Sequence, residues 1–330
     1  MTSLRSALKS ATALAAFSLS FPLASWAEEP LPVVATFSIL GDMVERIGGE
    51  HIALTTLVGP DGDAHVYQPT PKVARSVAEA DVLFLNGLEF EGWLERLAEA
   101  ASFDGAMVVA TKGVVPIAFD DHDDHDDHDD HADHDDHDDH EKHDDHDDHA
   151  GHDHGAFDPH AWQSLENAVI YANNIAAGLA QADPENAGDY YANRAAFITE
   201  VETLRADIGA MMKSLPADKR TVVTPHDAFG YFAATYDLTF VAPQGMSTDS
   251  EVSAADVAAL ITQIREESIS AVFIESITDN RMMQQIANET GATIGGTLYS
   301  DALSAQSGPA STYLDMMRHN ATTLFDALGN

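Results

Sequence analysis

Two runs of short apolar strands alternating with amphipathic helices, joined by one long helical stripe, leave few folds open to this chain. In the first run, residues 31–37 predict a strand, 39–47 a helix stopped by Gly48-Gly49, and 51–58 a β-branched strand. Residues 59–69 are turn chemistry throughout; Thr70 then caps a helix with Pro71 at its first position. A strand at 81–85, a helix at 89–101 and a strand at 107–110 complete the run, and a helix over 164–181 follows. Asp183-Pro184 opens a helical pattern reaching residue 214, near 45 Å at about 1.5 Å per residue. Its apolar positions (Tyr191, Ala195, Ile198, Val201, Leu204, Ile208, Met211 and Met212) recur every three or four residues and predict one buried stripe. The second run reads as strands at 221–224, 238–242, 271–275 and 293–295, with helices at 226–236, 254–267, 279–290 and 311–328. Residues 243–253 form a loop, and Gly295-Gly296 is taken as a turn pair without phosphate-loop spacing. The expected fold is α/β: two lobes, each with a mainly parallel sheet, on either side of one long helix. Ligands of such lobes bind at strand ends, here in the cleft between them.

Residues 120–154 interrupt the first lobe with a repeat of Asp-Asp-His. The segment holds twelve of the seventeen histidines, eighteen aspartates, Glu141 and Lys142, and so carries −18 of the formal charge of −39. It has nothing to bury, and like charges at this density oppose helix and strand alike, so disorder is expected without metal. Imidazole beside carboxylate is what divalent metals bind. His122, His125, His128, His131, His134, His137, His140, His143, His146, His149, His152 and His154 are therefore candidate weak metal sites. So acidic a chain is unsuited to nucleic acid or an anionic membrane surface; its electrostatic partners are cations.

The first residues read as an export signal: Arg5 and Lys9, an apolar run over 11–23, and Ser25-Trp26-Ala27 as a cleavage site. A soluble periplasmic protein cleaved near Ala27 is expected, without a stable membrane anchor and as a monomer. The absence of cysteine excludes a lipoprotein anchor, disulfides and thiolate ligands, so a metal site must use His, Asp, Glu and water. The expected divisions are 1–27 signal peptide, 28–183 first lobe with the 120–154 insertion, 184–214 linking helix and 215–330 second lobe.

Five histidines lie outside the repeat. His51, at a strand start, and His319, on the last helix, read as surface residues. His65, His160 and His226 instead sit in loops or strand-to-helix junctions, where α/β lobes expose binding groups. Three imidazoles suit zinc, which accepts nitrogen at about 2.0–2.1 Å and commonly takes four ligands. Asp301, just past the last strand, is the best-placed carboxylate. Glu275 reads first as the structural end of an apolar strand and second as a group that could hold an imidazole. Tyr67, Trp162 and Phe229 read as cleft walls.

Four stretches, in order, carry a resemblance to the metal-binding receptors of bacterial ABC importers, in particular the zinc-uptake receptors of the ZnuA/TroA type. They are His65-Val-Tyr-Gln-Pro-Thr-Pro71, Asp158-Pro-His-Ala-Trp162, His226-Asp-Ala-Phe-Gly-Tyr-Phe232 and Leu298-Tyr-Ser-Asp-Ala-Leu303. The resemblance implies two α/β lobes on one rigid helix and metal ligands at His65, His160, His226 and Asp301. It also implies a histidine-rich insertion between the first two ligands. Manganese members tend to carry a carboxylate where this chain has His226, which favours zinc. This chain departs from the pattern in lacking the disulfide of some zinc members and in having Ala64 where some place an acid, with Asp61 and Asp63 nearby.

The expected function is capture of Zn2+ in the periplasm and delivery to a membrane permease, one ion bound tightly and several weakly, with no catalysis. An exported zinc hydrolase is the competing class, but there is no His-Glu-x-x-His helix and Asp301 would close the position a water needs. A zinc store or buffer would explain the repeat but not the four motifs.

Overall fold

The computed structural model describes residues 29–118, 157–249 and 252–329. The expected export signal at 1–27, and the 120–154 repeat with its twelve histidines, lie outside the described residues. The first sheet contains β1 (Leu31–Phe37), β2 (Ile52–Val58), β3 (Val82–Leu85) and β4 (Ala106–Val109), all parallel, in the order β2-β1-β3-β4. The second contains β5 (Thr221–Val223), β6 (Thr239–Val241), β7 (Ala271–Glu275) and β8 (Thr293–Leu298), also parallel, in the equivalent order β6-β5-β7-β8. The helices are α1 (Ser38–Gly48), α2 (Pro71–Ala78), α3 (Leu94–Ala101), α4 (Leu165–Ala182), α5 (Ala187–Lys213), α6 (Gly230–Tyr236), α7 (Ala254–Glu266), α8 (Arg281–Thr290) and α9 (Tyr313–Leu328). Thr70 caps α2 by accepting from the Val73 amide, with Pro71 first in the helix. Ala118 and Phe157 pair in an isolated antiparallel bridge, so the chain leaves and rejoins the first lobe at one point.

Helix α5 joins the lobes. After a 3₁₀ turn at Pro184–Asn186 it runs 27 residues, about 40 Å at 1.5 Å per residue. Its buried stripe is Tyr190, Phe197, Val201, Leu204, Ile208 and Met212. The stripe differs from the expected one at its start: Tyr190 rather than Tyr191 and Phe197 rather than Ile198 reach full burial. Tyr191 is 42% exposed, with the Arg194 guanidinium 5.3 Å from its ring centre. One hydrophobic core runs through both lobes, from Phe37 and Phe84 past Phe197 and Leu204 of α5 to Phe273 and Met317. A smaller cluster (Val223, Leu260, Ile264, Val272, Met283, Ile286) lies within the second lobe alone. Helix α9 starts against the first lobe, where the Tyr313 amide donates to Asp42 Oδ2 on α1 (2.9 Å), and packs back along β8 of the second sheet.

Three expected elements differ, each for a local reason. Residues 89–93 are turn, not helix. Glu91 takes hydrogen bonds from the amides of Asn86 and Gly87 and from Thr36 Oγ1, and Leu88 and Glu89 take left-handed φ of 54° and 62°. Residues 226–229 are also non-helical, because the His226 amide donates to Glu275 Oε1 and that of Asp227 to the carbonyls of Gln244 and Gly245. Gly295 and Gly296 lie inside β8 rather than in a turn, beside a register shift at Val272/Phe273. A Cβ on Gly295 would stand 2.7 Å from the Phe273 ring and 2.8 Å from Ala327.

Candidate metal centre

The C-terminal ends of the strands in both sheets deliver the chemistry. His65 stands in the loop after β2, and Asp63 Oδ1 accepts its amide (2.9 Å), while Trp93 Nε1 donates to the Ala64 carbonyl (2.7 Å). His160 precedes a 3₁₀ turn, Ala161–Gln163, and Asn86 Nδ2 donates to the Pro159 carbonyl (2.8 Å). His226 follows β5, and Asp301 follows β8. Ser300 is tied to the first lobe, its carbonyl accepting from Trp162 Nε1 (2.8 Å) and Gln163 Nε2 (2.7 Å). Asp301 is thereby positioned by residues of both lobes.

One donor atom from each of His65, His160, His226 and Asp301 lies within 4.8 Å of the others. Asp301 Oδ2 is 3.1 Å from His226 Nε2 and 3.3 Å from His65 Nε2, and Oδ1 is 3.5 Å from His160 Nε2. His160, His226 and Asp301 are fully buried; the His65 side chain keeps 6% exposure. These three Nε2 atoms and both Asp301 oxygens are buried and make no hydrogen bond among the described residues. Such an arrangement is costly unless a cation meets the lone pairs. Three nitrogens and a carboxylate at these separations fit one divalent ion. No other group of three or more His, Asp or Glu side chains converges in this way among the described residues.

Carboxylates behind the imidazoles set their tautomers. Asp158 Oδ1 lies 2.8 Å from His160 Nδ1 and also accepts the His160 amide. Glu275 Oε2 lies 2.6 Å from His226 Nδ1 and accepts from Ser300 Oγ (2.7 Å). A carboxylate only accepts, so Nδ1 carries the hydrogen on both rings, which leaves Nε2 as the atom that can offer a lone pair to a bound cation. Burial raises the pKa of Asp301, but the neighbouring His226 and His160 overcome it and hold the carboxyl well below its usual range. Burial lowers that of His226, yet Glu275 and Asp301 drive it well above the ordinary imidazole value. Without a cation His226 thus holds a proton that an incoming metal ion displaces.

The remaining residues singled out in the sequence are distributed as follows. Asp63 faces the His65 amide and Thr248 Oγ1 rather than the cluster. His51 pairs with Asp189 at 2.9 Å, outside the centre. His319 is half-buried rather than a surface residue, its Nε2 3.0 Å from the Thr297 carbonyl. Trp162 stands edge-on to His160 with centroids 5.3 Å apart. Tyr67 packs on Trp93, and Phe229 stacks on Phe240 in the core instead of walling the cleft. Two contributors were missed: Asp158, hidden inside a ligand motif, and Phe90, edge-on to His65 at 4.8 Å, which the expected helix at 89–101 had placed on a helical face. The sequence signal for Asp158 was its place two residues before His160, the spacing at which Asp63 also caps the amide of His65.

A family model for the periplasmic zinc-uptake complex component A matches residues 33–327. The manganese-binding lipoprotein MntA of Halalkalibacterium halodurans is 30% identical over 91% of this chain and 89% of its own length. The iron-binding protein YfeA of Yersinia pestis is 30% identical over 90% and 86%. Among solved structures, the periplasmic zinc-binding protein TroA of Treponema pallidum superposes with a TM-score of 0.78 at 25% identity, covering 92% of this chain and all of that one. A manganese-bound periplasmic metal-binding protein of Candidatus Liberibacter asiaticus, carrying an S38A substitution, gives 0.75 at 30% identity, over 90% and 98%.

Proposed function

The chain belongs to the periplasmic zinc-uptake component A family, and from that premise we propose that it captures Zn2+ outside the inner membrane and delivers it to an ABC-type permease. The observation that carries this reading is the convergence of His65, His160, His226 and Asp301 on one buried point, with no hydrogen bonds to their facing atoms. Relatives named for manganese and iron share the same overall likeness, so choice of metal is argued from the donors. Three imidazoles with one carboxylate are softer than the oxygen-rich sets manganese prefers, and zinc outranks manganese and iron in intrinsic affinity at nitrogen sites. Asp301 completes the set, closing the position that a hydrolytic water needs, so no turnover is proposed.

In this reading the residues 120–154 hold further Zn2+ weakly and raise its supply near the centre. Chelator competition with Zn2+, Mn2+ and Fe2+, on the full chain and on a chain lacking 120–154, tests the assignment. One tight Zn2+ retained in both chains, with extra weak ions only in the full one, is expected. Tighter Mn2+ than Zn2+ binding overturns the choice of metal, and loss of the tight site with 120–154 overturns the division between the two sites.

A further inference from the structure

The two loops that bring His65 and His226 to the centre come from opposite lobes, and a chain of hydrogen bonds joins them. Asp63 Oδ1 accepts the His65 amide at 2.9 Å, and its Oδ2 accepts Thr248 Oγ1 from the second lobe at 2.7 Å. The Thr248 carbonyl accepts Gln244 Nε2 (2.8 Å). Gln244 in turn pairs with the His226 loop, its amide donating to the Pro225 carbonyl (3.3 Å) and its carbonyl accepting the Asp227 amide (3.2 Å). The path from His65 to His226 thus crosses between lobes at a single side-chain contact, the Asp63 carboxylate with the Thr248 hydroxyl.

Four other bonds between the lobes, those of Trp162 and Gln163 to Ser300, of the Leu303 amide to Ser38 Oγ and of the Tyr313 hydroxyl to the Trp162 carbonyl, are buried; the Tyr313 amide to Asp42 and the Ile117 amide to the Tyr231 hydroxyl are partly buried, and the Asp61 amide also ties the His65 loop to the Leu303 carbonyl. Asp63–Thr248 is only partly buried and links two loops, so it can break without opening the core. It also lies on the side where an ion could leave, since His65 alone of the four candidate ligands keeps solvent exposure.

We propose that the Asp63–Thr248 hydrogen bond is a latch between the lobes that sets how fast a bound metal ion leaves, by holding the His65 loop to the 243–253 loop that is bonded through Gln244 to the His226 loop. Both are positioning residues: neither touches the ion. The proposal rests on the metal-receptor reading. Breaking the contact frees the Asp63 carboxylate, loosens the His65 amide and lets the His65 ring withdraw, which opens the exit without altering the other three ligands.

The test measures Zn2+ release from the full chain into excess chelator by stopped flow, comparing wild type with Thr248→Val, which keeps the shape, and Thr248→Ser, which keeps the hydroxyl. Loss of one charge-assisted hydrogen bond at a partly exposed site predicts about tenfold faster release in the valine variant. The serine variant should release at the wild-type rate, and all three should bind Zn2+ at one rate. A valine variant that releases at the wild-type rate, or a serine variant as fast as valine, overturns the latch. Hydrogen exchange at the His65 amide in the metal-free chains gives a readout that needs no ion: faster exchange in the valine variant alone supports the contact, and equal exchange in all three overturns it. A wild-type chain that holds no Zn2+ removes the receptor reading and the kinetic role together, while the exchange result still decides whether the bridge forms.

Discussion

Replacing Glu275 by Gln removes a charge at nearly constant shape, and the surroundings of that carboxylate make its consequence calculable. Glu275 is 1% exposed, accepts the His226 amide at Oε1 and Ser300 Oγ at Oε2, and sets Oε2 2.6 Å from Nδ1 of the His226 ring. A glutamine amide has one acceptor and one donor end, and both placements fail. With its NH₂ toward Nδ1, the ring must take the other tautomer, putting a hydrogen on Nε2 where the metal lone pair is needed. With its oxygen toward Nδ1, the NH₂ opposes the His226 amide, a buried donor facing a donor. Either fault costs about 1–3 kcal/mol, in line with the roughly 10–100-fold loss of metal affinity that follows loss of such supporting partners. Competition with a chromophoric chelator near neutral pH, on the chain lacking residues 120–154, isolates the tight site. The same substitution removes one of the two charges that raise the His226 pKa, so the dependence of affinity on pH should flatten as well. Wild-type affinity together with a wild-type pH profile would refute the tautomer argument.

Other substitutions probe the rest of the site. Asp301→Ala removes the carboxylate that faces all three imidazoles and should abolish the proposed tight Zn2+ binding, read as metal content after dialysis, while leaving the far-ultraviolet circular dichroism intact. Gly230→Ala places a Cβ 2.5 Å from Asp158 Oδ2, so the carboxylate that orients His160 must move, and Zn2+ affinity should fall about tenfold in the same competition assay. Because the His226 proton must leave and its pKa lies well above the ordinary value, apparent affinity should fall as pH drops through that raised pKa, by about tenfold per unit while one proton is displaced. A profile flat through neutrality and falling only in strong acid would count against it. Arg220 donates to the carbonyls of Met212, Leu215, Tyr236 and Asp237, tying the ends of α5 and α6 together. Arg220→Ala should therefore cost about 2 kcal/mol in denaturant unfolding of the metal-free chain.

The parts of this molecule that could be read beforehand are those where local chemistry decides. Strand–helix alternation and turn residues located both sheets, and the three loop histidines with Asp301 are the side chains that meet at one point. Where tertiary contacts capture polar groups, local pattern misled: the bonds from the Asn86 and Gly87 amides to the Glu91 carboxylate hold residues 89–93 as a turn, and Glu275 takes the His226 amide out of the expected helix. The start of the α5 stripe slipped by one residue, to Tyr190 and Phe197 with Ala195 exposed, because two adjacent tyrosines are equally apolar by type and only the packed neighbours choose between them. Glu275 could be suspected from its place at a strand end, whereas the pairing of Asp63 with Thr248 spans 185 residues and has no local signature.

The bridge between Ala118 and Phe157 has a consequence for how such chains vary. Because the fold closes on itself at that pair, its register does not depend on what is strung between those two residues. Each doubling of a loop's length adds only about 0.6 kcal/mol to the entropic cost of closing it. Repeat units can therefore be gained or lost by simple duplication and slippage at almost no cost to folding. On the proposed reading, the number of weak metal positions can change in this way while the buried centre stays as it is.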